Sequence, residues 1–156
     1  MSKRVALGCD HAAYDIHQEI MDMITTTGVV SKVIYMGPSS ASSVDYPDYA
    51  AQVCEAILKG EADTGILVCG TGIGMSIAAN KFSGIRAALC NDHVTAQLCR
   101  QHNNANVLCL GARTCGMEIL RDIIITFLTA EPSKEGRHGG RIAKITEIER
   151  EQMKKE

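Results

Sequence analysis

The chain has 156 residues, 46% of them hydrophobic, which is enough for one domain near the modal size with a substantial core; a second domain is not expected. Sixteen Lys and Arg against 18 Asp and Glu leave a net charge of −2, which offers no electrostatic footing for nucleic acid or an anionic membrane surface. The seven cysteines are scattered without a CxxC pair, so neither a disulfide framework nor a zinc knuckle is expected, and most read as reduced core residues.

From the N-terminus, Met1-Ser2-Lys3-Arg4 runs straight into Val5-Ala6-Leu7-Gly8, which is strand-sized and lacks the apolar length and cleavage site of a signal peptide. The longest apolar stretch, Ile123 to Leu128, is far too short to span a bilayer, so a soluble, cytoplasmic protein is expected. Strands are predicted over Arg4–Gly8, Val33–Met36, Thr64–Val68, Arg86–Leu89 and Asn106–Leu110. Helical periodicity falls between them, near Tyr14–Thr27, Pro47–Lys59, Ile73–Lys81, His93–His102 and Cys115–Leu128. This βαβα alternation predicts an α/β fold: a doubly wound, open parallel sheet of about five strands in three layers, with ligands at the carboxyl ends of the strands. Gly37 to Asp45, rich in Ser, Gly and Pro, should be a surface loop that delivers Tyr46 to the site edge. After a break at Pro132 to Gly140, Ile142, Ile145 and Ile148 recur at helical spacing among charges. The extra C-terminal helix they predict, about 138–154, has nothing left in its own sheet to pack on, and a partner subunit would supply that surface in a homodimer.

The most informative run is Val68 to Lys81. Gly65-Ile66-Leu67-Val68 is a short, wholly apolar strand that belongs mid-sheet, which puts Cys69 at its carboxyl end. Gly70, Gly72 and Gly74 then remove the Cβ atoms that keep amides from a ligand, and the next helix begins at Ile73 with its free N–H groups facing the same point. A thiol beside such an oxyanion cradle is favoured as thiolate, and it can serve as base or nucleophile. The run is neither GxxxxGK[ST] nor a GxGxxG after a first strand, so nucleotide binding is disfavoured. An inert buried cysteine beside an ordinary tight turn is the plainer alternative.

Other candidates fall at the same end of the sheet. Asp10 and His11 follow the first strand and suit a sugar hydroxyl and a phosphate, unless Asp10 merely caps a helix. His102, ahead of Asn103 and Asn104, ends a helix; it suits a general acid, or simply complements the helix dipole. Arg137 and Arg141 stand four residues apart, on one face if helical, where an anion between them would relieve their repulsion; Arg113 after the fifth strand is a third member of such a clamp. A held phosphate plus a transient oxyanion describes sugar-phosphate isomerisation.

The segments GCDHAAY, VDYPDYA, CGTGIGMSIAANKFSGIRAALC, RQHNNANVLCLGAR and RHGGR resemble the type B ribose-5-phosphate isomerases, grouped with the galactose-6-phosphate isomerase subunits. The resemblance covers nearly the whole chain. It implies one sugar-phosphate isomerase domain over 1–156, interconverting D-ribose 5-phosphate and D-ribulose 5-phosphate in the non-oxidative pentose phosphate pathway. It further implies Rossmann-like homodimers, sometimes paired into tetramers, with sites shared between subunits and no metal or cofactor. By the same resemblance Cys69 is the catalytic base, and the amides of Gly70, Gly72, Ile73 and Gly74 stabilise the enediolate with Thr71 assisting. His102 opens the furanose ring, Asn103 and Asp10 contact the sugar, Tyr46 lines the site, and His11, Arg113, Arg137 and Arg141 bind phosphate. Asn104 departs from an acidic residue frequent there, and Gly139-Gly140 weakens the start of the last helix. Rival readings are a hexose-6-phosphate isomerase, for allose or galactose 6-phosphate, and a non-catalytic sugar-phosphate sensor.

Overall fold

The computed structural model describes residues 2–153. Its strands β1 (Lys3–Cys9), β2 (Val30–Tyr35), β3 (Thr64–Cys69), β4 (Ala87–Leu89) and β5 (Val107–Gly111) form one parallel sheet in the order β2-β1-β3-β5-β4. The intervening helices are α1 (His17–Thr25), α2 (Tyr46–Leu58), α3 (Ile73–Ala79), α4 (His93–Gln101) and α5 (Met117–Thr129), and α6 (Gly136–Gln152) follows them.

The period of two along each strand divides the core between the two faces. Val5, Leu7, Cys9, Ile66, Val68, Leu108 and Leu110 pack with Ile20 and Ile24 of α1, Ala96 of α4 and Ile123 and Phe127 of α5. The alternate residues Ala6, Leu67, Cys69, Val107 and Cys109 pack with Ala50 and Val53 of α2 and Met75 and Ala79 of α3. Helices thus cover both sides of the sheet, as right-handed crossovers in this strand order require. The chain leaves β1 toward one edge and β3 toward the other, so a crevice opens between their carboxyl ends.

Several boundaries differ from the sequence expectation. The first helix opens as a 3₁₀ turn over Tyr14–Ile16 before α1 begins, with no side-chain cap at either start. Strand β2 starts at Val30 rather than Val33, because an edge strand carries exposed Ser31 and Lys32 that hide it from an apolar pattern. Cys115 lies ahead of α5, whose N-cap is Gly116. The C-terminal helix begins at Gly136, and Gly139-Gly140 does not interrupt it. Its expected last residue, Lys154, lies outside the described residues.

Candidate functional site

Cys69 ends β3, only 5% exposed, on the face that meets α2 and α3. The backbone N–H of Gly72 donates to its Sγ at 3.2 Å. A main-chain amide donated to a sulfur stabilises negative charge on it. Burial instead pushes the Cys9, Cys54 and Cys109 thiols up, Cys54 to about 11, which keeps them protonated and inert.

Gly72 is the N-cap of α3 with φ of +78°, a left-handed conformation that turns the chain from strand to helix in three residues. Having no side chain it closes no cap hydrogen bond, so first-turn amides of α3 are left to a ligand. The cradle is partly occupied by the protein itself, because Gly72 N–H serves the sulfur and Ile73 N–H serves Thr71 Oγ1 at 3.2 Å. Gly74 matters through space. A Cβ there would lie 2.5 Å from the ring of Tyr46, so its absence lets that ring close over the start of α3.

Arg113 is drawn in by the turn after β5, where Ala112 N–H donates to Cys69 O at 2.8 Å and Arg113 N–H to Gly70 O at 2.9 Å. Asp10 is buried past the end of β1, its Oδ1 accepting from Ala12 N–H at 2.9 Å. Together Asp10, Tyr46, Cys69, Gly70, Thr71, Ile73, Gly74, Ile77 and Arg113 line a cleft of about 470 Å³, within the range of small-molecule sites. The sulfur therefore opens onto the same space as a guanidinium. Ile77 carries no chemical motif in the sequence, yet it lines the cleft. Its signal is the i, i+4 spacing from Ile73, both being exposed on a helix that starts at the cleft.

His11 stands beside Asp10, and its Nδ1 accepts from Val44 N–H at 3.2 Å, tying down the end of the loop that delivers Tyr46. His11, Gly72, His102, Asn103, Arg137 and Arg141 are not among the walls of this cleft. His102 caps α4 and stacks on His138, while Arg137 pairs with Glu135 at 2.8 Å. Arg86 holds the main-chain oxygens of Asn103 and Asn104, each at 3.0 Å. Asn104 takes φ of +46°, a left-handed conformation that asparagine tolerates, which accounts for its presence there.

A family model described as Ribose/Galactose Isomerase matches residues 5–145. The chain belongs to this family. Type B ribose 5-phosphate isomerase from Leishmania infantum is 80% identical in sequence, and its structure superposes with a TM-score of 0.97 over 98% of this chain and 100% of that one. The type B enzyme of Trypanosoma brucei is 54% identical, with a TM-score of 0.92 over 95% of this chain and 99% of that one. Ribose-5-phosphate isomerase B of Escherichia coli is 48% identical over 147 residues, 94% of this chain and 97% of the relative. The chain is accordingly an isomerase with the Rossmann-like architecture of the family, and no helix among the described residues is long and apolar enough to cross a membrane.

The attachment of α6 in this family member carries a pH dependence. Burial, then the charges of His102, Arg137 and Arg141 against a smaller opposing pull from Glu135, push the His138 imidazole below the ordinary histidine value. A detached helix binds a proton more readily than the packed one between that lowered value and about 6.5, so docking strengthens as pH rises through this window and weakens as it falls. Amide hydrogen exchange across 136–152, corrected for intrinsic rates, should be faster at about pH 5 than at about pH 7.5. Equal protection at both values would contradict a neutral, packed His138.

Proposed function

We propose that the chain interconverts D-ribose 5-phosphate and D-ribulose 5-phosphate through an enediolate, as a single isomerase domain over 1–156. The observation that carries this is the Cys69 sulfur, hydrogen-bonded by Gly72 N–H and lining a cleft shared with Arg113. In the aldose-to-ketose direction the furanose opens as O1 loses a proton and O4 gains one, a step assigned to His102. Cys69 as thiolate then removes the proton from C2, and the carbonyl at C1 becomes an oxyanion facing the α3 amides and Thr71. The proton returns to C1, O1 is protonated, and O2 gives up its proton as the C2 carbonyl forms. Asp10 and Asn103 contact sugar hydroxyls, and His11, Arg113, Arg137 and Arg141 hold the phosphate.

His102, Asn103, Arg137 and Arg141 lie outside the Cys69 cleft of their own chain, which supports a homodimer in which they complete the partner's cleft. Ile145 and Ile148, exposed on α6, give such a partner an apolar surface. Two such dimers could pair into a tetramer, which sedimentation would distinguish. Seven unpaired thiols suit a reducing compartment, the cytoplasm.

The test is interconversion of the two pentose phosphates in the presence of a chelator, repeated with allose and galactose 6-phosphates. Preferential turnover of the pentose supports the reading. Preference for a hexose moves the chain to the hexose phosphate branch, and binding without turnover makes it a sensor. A second test is Gly74→Ala. Alanine suits the helix, so stability should change by less than about 1 kcal/mol, while displacement of the Tyr46 ring should raise KM several-fold. An unchanged KM would remove Tyr46 from the binding wall.

A further inference from the structure

Helix α6 buries one side chain against its own chain, and further along Glu149 Oε1 accepts from Gly84 N–H at 3.1 Å. Of its 17 residues only His138 is buried, at 6% exposure, and it carries no apolar residue into the core. The His138 ring lies flat against His102, with centroids 4.2 Å apart and planes 9° from parallel. Glu135 Oε2 stands 3.6 Å from its Nε2 at the ring edge. His102, by contrast, is held only through its backbone N–H, which donates to Leu98 O at 2.8 Å at the end of α4. Among the described residues its ring makes no hydrogen bond, so the stack is what restrains it.

We propose that His138 is a positioning residue for His102: its buried imidazole sets the plane of the ring that opens the sugar. The inference rests on the isomerase reading above. The torsion that turns an imidazole about its Cβ–Cγ bond is broad and soft, so an unrestrained His102 samples many planes. A face-to-face neighbour narrows that range, and catalysis by proton transfer depends on the orientation of the acid. Burial and the nearby charge of His102 push His138 below the ordinary histidine value, so it remains an uncharged platform beneath a ring that gains and loses a proton.

The substrates themselves separate positioning from general damage. Ribose 5-phosphate is a furanose and needs opening. Ribulose 5-phosphate carries its phosphate on O5 and stays open, so deuterium wash-in from D₂O at its C1 needs the Cys69 proton transfer but not His102. His138→Ala should lower ribose 5-phosphate turnover on the order of 10- to 100-fold while C1 wash-in stays within about twofold of wild type. His138→Phe, which restores a flat ring, should recover most of the lost turnover. Loss of both activities together, no change in either, or a Phe variant no better than the Ala variant would each overturn the assignment. A wild-type chain inactive in both assays would overturn the isomerase reading, and this inference with it.

Discussion

Cys69→Ala is expected to lower ribose 5-phosphate isomerisation by about 10³-fold or more while leaving affinity for the sugar phosphate within a few-fold of wild type. The reason is a division of labour within the cleft. The sulfur is 5% exposed and its one main-chain partner is Gly72 N–H, so it adds little contact area for a ligand and removing it leaves Arg113, Asp10 and Tyr46 in place. Its contribution is to transition-state chemistry rather than to ground-state binding. Calorimetric titration of the variant with ribose 5-phosphate, beside a turnover assay, checks both halves. Full turnover would refute the base assignment, and loss of binding would show that the cleft had collapsed. Alkylation of wild type by iodoacetamide gives an independent check, since inactivation should track labelling at Cys69 and substrate should protect.

Gly72→Ala should be more damaging to the fold than any other substitution in the turn. Its φ of +78° costs an L-residue about 1–2 kcal/mol, and the new Cβ would lie 2.5 Å from Leu89 Cδ1 and 2.9 Å from the backbone carbon of Leu110. Leu89 can rotate, but β5 is a central strand paired with both β3 and β4 and cannot retreat. Overpacking adds about 1–3 kcal/mol, giving a loss of roughly 2–5 kcal/mol in all. Any relief by shifting the turn also moves the amide that serves Cys69, so residual folded protein should be nearly inactive. Gly116→Ala makes the contrast, since its Cβ meets nothing within 4 Å and the cost there should stay below about 1 kcal/mol. Denaturant unfolding of the two variants tests the difference, and equal midpoints would contradict the account of Gly72.

Much of the molecule was legible in the sequence because its strongest signals are local. The run Gly65 to Val68 could be read as a mid-sheet strand because both its faces are covered, and alternating glycines beyond it announced a turn that brings amides to a thiol. The edge strand β2 was less legible, since exposed Ser31 and Lys32 look like loop until their pairing with β1 is seen. Gly139-Gly140 suggested a weakened helix start, yet the helix already runs from Gly136, because the neighbouring turns carry it through. Sequence spacing joined Arg113 to Arg137 and Arg141, but in the fold Arg113 lines the Cys69 cleft and the other two do not, and the stack of His138 on His102 was not legible at all. A buried histidine in a charged segment reads as one more polar residue until its ring is found against another. Nor does a linear pattern state whose cleft those residues serve, because that depends on where a second copy sits.

The most direct test of the central claim follows the hydrogen on C2. With ribose 5-phosphate deuterated at that carbon, the account predicts a primary isotope effect on turnover and deuterium appearing at C1 of ribulose 5-phosphate or in solvent water, all lost in Cys69→Ala. Deuterium leaving C2 at the wild-type rate in that variant would contradict it.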